Sequence, residues 1–281
     1  MKTIYILNLL IISIFSSCNK DEPTIINENP TVAQEQMNVS YGTDSKQTFD
    51  LFLPANRSSK TTKTLILIHG GGWVGGDKAD MIAILSLVRN KLPNYAIVNM
   101  NYRLATADKP AFPMQIDDIA LVINKLKSEN YKISKDFGLI GISAGAHLSM
   151  LYGYGYNTDK NIKMVASLVG PANFTDSNYL TNGENDIFTF IFGATYSGNE
   201  TLYRQNSPLF RATNVSPPTL LLYGNEDPLV PITQGQDMFN KLNSLGVYNE
   251  FKLYNGGHLT WSASDFTDAE TRIINFIKKK F

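Results

Sequence analysis

A series of short, almost uninterrupted apolar runs constrains this chain more than any other feature. They are Thr64–Ile68, Tyr95–Met100, Phe137–Ile142, Met164–Val169 and Thr219–Tyr223. A strand that is apolar at nearly every position must be covered on both faces. The segments between the runs have helical spacing instead. Met81, Ile82, Leu85, Val88 and Leu92 recur within Lys78–Leu92, and Ile116, Ile119, Ala120 and Ile123 mark one face of a second helix. A third helix runs from Ala144 to about Tyr152. Met238, Phe239, Leu242 and Leu245, then Ile273, Ile274 and Ile277, mark two more, with Tyr248–Tyr254 as a last strand between them. Thr233 with Gln236, and Thr267 with Glu270, have the spacing of capping boxes for these two helices, and Gly246 reads as a stop. Strands alternating with helices predict an α/β fold: a mostly parallel central sheet with helices on both faces. Met37–Tyr41 and Thr48–Leu53 read as an antiparallel hairpin in front of it. Residues 171–216 lose the rhythm and are expected to form a small lid insertion.

Composition narrows the function classes. With 43% hydrophobic and 18% charged residues the chain builds a sizeable core, which excludes a disordered tail or a collagen-like rod. Lys+Arg and Asp+Glu balance at 25 each, so no global field favours nucleic acid or an acidic membrane surface. A single cysteine, Cys18, leaves no disulfide framework and no multi-cysteine zinc site. Any chemistry that needs an imidazole must choose among His69, His147 and His258.

The N-terminus reads as a targeting segment. Lys2 precedes an apolar stretch, Ile4–Phe15, too short to span a bilayer, and small residues Ser16-Ser17 stand just before Cys18. This resembles a bacterial lipoprotein signal. The resemblance implies a signal peptide at 1–17, lipidation of Cys18 and a lipidated tether at 18–36, with one domain at 37–281. The acidic run after the cysteine, Lys20-Asp21-Glu22, resembles the surface-export signal of Bacteroidetes lipoproteins. The expectation is an exported protein at the outer membrane, on its periplasmic or cell-surface face, touching the membrane only through its lipid anchor.

In an open parallel sheet, ligands bind at the carboxyl ends of the strands. The chemistry-bearing residues of this chain stand there. Gly141-Ile-Ser-Ala-Gly145 follows one strand and opens a helix, the context in which a serine hydroxyl is pushed out on a tight turn, above the free N–H groups of the new helix. His69-Gly70-Gly71-Gly72-Trp73 ends another strand. Glycines there let backbone amides approach a developing negative oxygen. Gly71, Gly72 and Ala144 would supply three such donors, each typically worth about 3 kcal/mol of barrier. A phosphate cradle is disfavoured, because no Gly-Lys-Ser/Thr follows. A serine also needs a base. His69 reads as a brace within the glycine loop. His147 lies one helical turn beyond Ser143 and reads as a satisfied buried histidine. His258, in a glycine-flanked loop after the last strand, reads as the general base. Its partner carboxylate is Asp227, after the Thr219–Tyr223 strand, with the adjacent Glu226 as a rival. The chain order Ser143, Asp227, His258 is the one this geometry uses on a parallel sheet.

These residues resemble the α/β-hydrolase serine esterases with an HGGGW oxyanion loop. The chain is similar to bacterial acetyl-xylan and feruloyl esterases and to hormone-sensitive-lipase-like carboxylesterases. The likeness extends over 37–281 and includes Asp50-Leu-Phe-Leu-Pro54, Asn101-Tyr-Arg-Leu104, Phe112-Pro113 with Asp117-Asp118, Ser143-Ala-Gly-Ala-His147, and Gly224 with Asp227 and Val230-Pro231. It implies hydrolysis of short-chain or aromatic acyl esters through an acyl-serine, with a small-molecule or glycan ester as substrate and no cofactor or metal. A serine peptidase or amidase, formamidase-like enzymes included, is one rival. A non-catalytic glycan-binding surface lipoprotein is another. Arg103 with Asp117 or Asp118 reads as a structural ion pair. The lid aromatics Phe174, Tyr179, Phe188, Phe190, Phe192, Tyr196, Tyr203 and Phe210 either stack on a sugar or acyl group or form a small core of their own.

Overall fold

The computed structural model of the chain describes residues 29–180 and 185–281. Cys18, the signal segment and most of the tether lie outside the described residues. The strands are β1 (Gln34–Ser40), β2 (Thr48–Leu53), β3 (Thr64–Ile68), β4 (Ala96–Met100), β5 (Phe137–Ile142), β6 (Ile162–Leu168), β7 (Thr219–Gly224) and β8 (Asn249–Tyr254). They form one sheet in the order β1-β2-β4-β3-β5-β6-β7-β8. β1 and β2 pair antiparallel, β2 joins β4 antiparallel, and every later pairing is parallel. The expected α/β architecture is the one found. β1 enters the sheet three residues earlier than the hairpin reading placed it, because Gln34–Gln36 pair with Leu51–Leu53.

Alternation along each strand sends side chains to two cores. Ile66 and Ile68 of β3 face one cluster, with Ile116, Ile119 and Leu148. Leu65 and Leu67 face the other, with Leu85, Val88, Ile273 and Ile277. All four β3 side chains are fully buried, each contributing about 1.5–3 kcal/mol of hydrophobic stabilisation. The helices that supply these partners are α1 (Ile82–Lys91), α2 (Met114–Ser128), α3 (Ala144–Gly155), α8 (Ile232–Ser244) and α9 (Ala263–Lys280). A capped single turn of 3-10 helix, Lys78–Met81, leads into α1, with Asp77 and Asp80 forming its capping box.

Both expected capping boxes at the later helices are replaced. α8 starts at Ile232 behind Pro231 with no side-chain cap, because the Thr233 hydroxyl donates to Asp176 instead (2.5 Å). α9 starts at Ala263, and Ser262 caps it by accepting from the Asp265 amide. Thr267 lies inside the helix and donates to the Ala263 carbonyl.

Residues 171–216 are more regular than their sequence suggests. Their described residues hold four short helices, α4 (Ser177–Leu180), α5 (Asn185–Phe192), α6 (Glu200–Gln205) and α7 (Pro208–Arg211). The fully buried Gln234 of α8 anchors the base of this insertion. Its carbonyl oxygen accepts from the Ala172 and Asn173 amides, and its amide donates to the Asn173 carbonyl and to Asp176. No helix among the described residues is long and apolar enough to cross a membrane.

Candidate active site

Four loops lie at the carboxyl edge of the sheet, after β3, β5, β7 and β8. The turn after β5 is the tightest. A Cβ on Gly141 would stand 2.2 Å from the Gly145 carbonyl oxygen, and one on Gly145 would stand 2.1 Å from the Ile68 carbonyl oxygen. Only glycine permits that approach, which brings the start of α3 against the end of β3. Ser143 between them has φ 53° and ψ −120°, a conformation costing a residue with a side chain on the order of 1–3 kcal/mol. The turn is held by Ser143 N–H donating to the Leu168 carbonyl (2.8 Å) and His147 N–H donating to the Ser143 carbonyl (3.0 Å). Ser143 remains partly exposed.

The glycine loop lies beside this elbow: a Cβ on Gly70 would come within 3.3 Å of the Ser143 Cβ. Gly71 and Gly72 take φ of 110° and 58°. Ala144 is the first residue of α3, so its amide has no partner within the helix. The amides of Gly71, Gly72 and Ala144 donate to no acceptor among the described residues. A Cβ on Gly72 would meet nothing within 4 Å, so the loop borders open space.

Asp227 and His258 meet across the loops after β7 and β8. Asp227 Oδ2 lies 2.7 Å from His258 Nδ1, and Asp227 Oδ1 accepts from the Leu229 and Val230 amides at 2.8 and 2.9 Å. A carboxylate accepting on both oxygens fixes the proton on Nδ1, which leaves His258 Nε2 with a free lone pair. The Asp227 side chain is buried, whereas that of His258 is 20% exposed. The two loops are laced together. Asn225 donates to Asn255, Gly256 N–H donates back to Asn225, and Glu226 N–H donates to the Gly256 carbonyl. Glu226 itself is exposed, and it is Asp227 that holds the ring. No hydrogen bond joins Ser143 Oγ to His258 among the described residues, and the two residues sit at the ends of β5 and β8 on the same edge of the sheet.

The other two histidines are structural. His69 Nδ1 donates to the Gly70 carbonyl (2.6 Å), and its ring stacks on Tyr102 at 4.2 Å. The Tyr102 hydroxyl donates to the His69 carbonyl at 2.9 Å. Burial lowers the His69 pKa. His147 is fully buried and accepts at Nδ1 from the Trp73 indole (3.2 Å), while its Nε2 donates to the Asn206 carbonyl (2.7 Å). Burial pushes its pKa down to about 3, so the ring is neutral. Gln115, also buried, donates to the Trp73 carbonyl at 2.7 Å. His69, Trp73, Tyr102 and His147 stand within motifs the sequence shows, and His69 was read there as a brace; Gln115 lies in no such motif, and the sequence reading missed it.

Arg103 pairs with Asp118 and not Asp117. Its guanidinium forks onto the buried Asp118 carboxylate at 2.6 and 2.9 Å, and Gln47 donates to the same carboxylate. Asp117 is exposed. Of the lid aromatics, Phe174, Tyr179, Phe188, Phe192 and Tyr203 are buried and pack mainly edge to face on one another. Phe190 and Phe210 stay exposed, and the Arg204 guanidinium covers the Phe210 ring at 3.9 Å. The small-core reading holds for most of them.

Comparison with known proteins identifies the family and the fold. The BD-FAE family model matches residues 49–242. Esterase LipC of Mycobacterium tuberculosis is 26% identical over 224 residues, covering 74% of this chain and 55% of LipC. The chain thus spans about half the length of the curated relatives it matches. Among solved structures, a truncated carbohydrate esterase from gut microbiota superposes with a TM-score of 0.72 at 19% identity, covering 88% of this chain and 98% of that one. Esterase B from Lactobacillus rhamnosis gives 0.66 at 23% identity, with 88% of each chain covered. At these identities the two structures establish the common fold.

Proposed function

The chain belongs to the BD-FAE family of α/β-hydrolase esterases, and from that premise we propose that it is a serine carboxylic-ester hydrolase using Ser143, Asp227 and His258. Ser143 Oγ attacks the ester carbonyl carbon while His258 Nε2 takes the hydroxyl proton. The amides of Gly71, Gly72 and Ala144 stabilise the resulting oxyanion. Collapse of the tetrahedral species breaks the bond to the alcohol, which leaves with the proton returned by His258. Water then attacks the acyl-serine by the same route, giving the acid and the free hydroxyl. Asp227 keeps the proton of the ring on Nδ1 throughout and stabilises the transient imidazolium.

One observation carries this reading. An imidazole held at Nδ1 by Asp227, its outer nitrogen without a partner among the described residues, shares a sheet edge with a serine held in a strained elbow and with three backbone amides that have no acceptor among those residues. A structural serine turn has no need of that combination.

The preferred substrates are short-chain or aromatic acyl esters, with acetyl or feruloyl groups on glycans as the natural class. A carbohydrate esterase among the structural neighbours supports this choice. The lipid-anchored location at the outer membrane, inferred from Lys2 to Cys18, would place the enzyme among extracellular polymers. Hydrolysis of p-nitrophenyl esters from two to twelve carbons, beside acetylated xylan, tests the reading. Turnover favouring the short esters and lost in Ser143→Ala is expected. Faster turnover of matched amides, or activity retained in Ser143→Ala, would overturn it.

A further inference from the structure

The buried His147 has no part in proton transfer, since both ring nitrogens are engaged, yet it joins three separate parts of the site. Its backbone belongs to α3, one turn after Ser143, and its N–H donates to the Ser143 carbonyl. Its Nδ1 accepts from Trp73, the residue directly after Gly71-Gly72. Its Nε2 donates to the Asn206 carbonyl, between α6 and α7 of the insertion. The ring sits edge-on to Trp73, Phe112 and Phe174, with centroids 5.4, 5.4 and 4.8 Å away. An apolar side chain would fill that space without the cost of burying two polar nitrogens. An imidazole there is justified by its two directed bonds.

We propose that His147 is a positioning residue for ester hydrolysis, tying the glycine loop, through Trp73, and the insertion, through Asn206, to the helix that begins at Ser143. The inference rests on the esterase reading above. The Trp73 backbone is held by Gln115 and by the Ala105 amide, and its buried indole also packs edge-on to Phe174 at 5.5 Å. Among the described residues, its indole bond to His147 is the one side-chain hydrogen bond between the loop that carries the Gly71 and Gly72 amides and the helix that carries the Ala144 amide. Losing it lets the amide donors drift relative to the nucleophile. A misplacement near 1 Å costs up to about a hundredfold in rate, and it falls on the transition state rather than on substrate binding.

The test uses Trp73→Phe, His147→Phe, His147→Gln and the Trp73→Phe/His147→Phe double variant, read by kcat and KM on p-nitrophenyl acetate with thermal midpoints alongside. Each Phe variant should lose roughly ten- to a hundredfold in kcat with KM within about threefold. His147→Gln, which keeps one acceptor and one donor, should recover most of the loss. The double variant should be no slower than the slower single, because both remove the same bond. Full kcat in Trp73→Phe, a loss confined to KM, or multiplying losses in the double variant would overturn the inference. If His147→Phe does not fold, Trp73→Phe decides alone by the same kcat criterion. A wild type that hydrolyses while Ser143→Ala does not, with both Phe variants at full kcat, removes this inference and leaves the esterase reading standing. An inert wild type removes both.

Discussion

The Asp227 carboxylate accepts from two backbone amides and from His258, so its orientation is set before any substrate arrives. Asp227→Asn preserves the shape but turns a donor toward Nδ1 and forces the other tautomer. The expected outcome is a fall of about 10⁴-fold in kcat in a p-nitrophenyl ester assay, while the exposed neighbour tolerates Glu226→Gln with little change. His147 makes a separate prediction. Its folded pKa is about 3, below the roughly 6.5 of an unfolded histidine. Between those values the unfolded chain binds a proton that the folded chain refuses. Stability contributed by neutral His147 is therefore complete above about pH 6.5 and declines as the pH falls, by up to about 1.4 kcal/mol per unit. Ring ¹⁵N shifts at pH 5 should still report a neutral Nε2–H tautomer for this residue; a titrating imidazolium would contradict its burial and bonding. The placement of Ser143, Asp227 and His258 after strands at one edge of the sheet was legible in the sequence, because each follows an apolar run. The Trp73–His147 bond was not, since the partners are separated by 74 positions and neither type demands the other.

The central strands β3, β4, β5 and β7 were the most readable elements, because burial on both faces leaves a run with no polar alternation to misread. Helix starts were less so. Thr233 and Thr267 have the local spacing of caps, but the Thr233 hydroxyl goes across the fold to Asp176, and Thr267, inside α9, bonds the Ala263 carbonyl one turn back. This has a direct check by urea denaturation: Ser262→Ala should cost about 1 kcal/mol as the true cap of α9, whereas Thr267→Ala should cost a few tenths. The insertion helices α4–α7 were invisible as helices because segments of four to eight residues form only when packing holds them. The elbow is the least forgiving element. With its Cβ placed 2.1 Å from the Ile68 carbonyl, Gly145→Ala must push α3 off β3. A loss of soluble protein, or a destabilisation of about 3 kcal/mol or more, is expected in expression and melting measurements.

Across the whole molecule, the sheet separates two cores that touch different helices and rest on the same strands. Ile119 of α2 and Ile277 of α9 are both fully buried, one in each core. Truncating either to alanine should cost about 2–5 kcal/mol, and the double variant should cost their sum within about half a kcal/mol, as read by chemical denaturation. The two-core scaffold holds the β3, β5 and β7/β8 loops at one edge although their reactive residues come from distant parts of the chain. That three such side chains act as one unit is the central claim, and a fluorophosphonate reacting with the folded protein tests it most directly. Intact-mass and peptide mass spectrometry should find a single adduct, on Ser143, whose formation slows at least a thousandfold in His258→Ala. An adduct on another residue, or labelling of Ser143 at an unchanged rate without the imidazole, would contradict it.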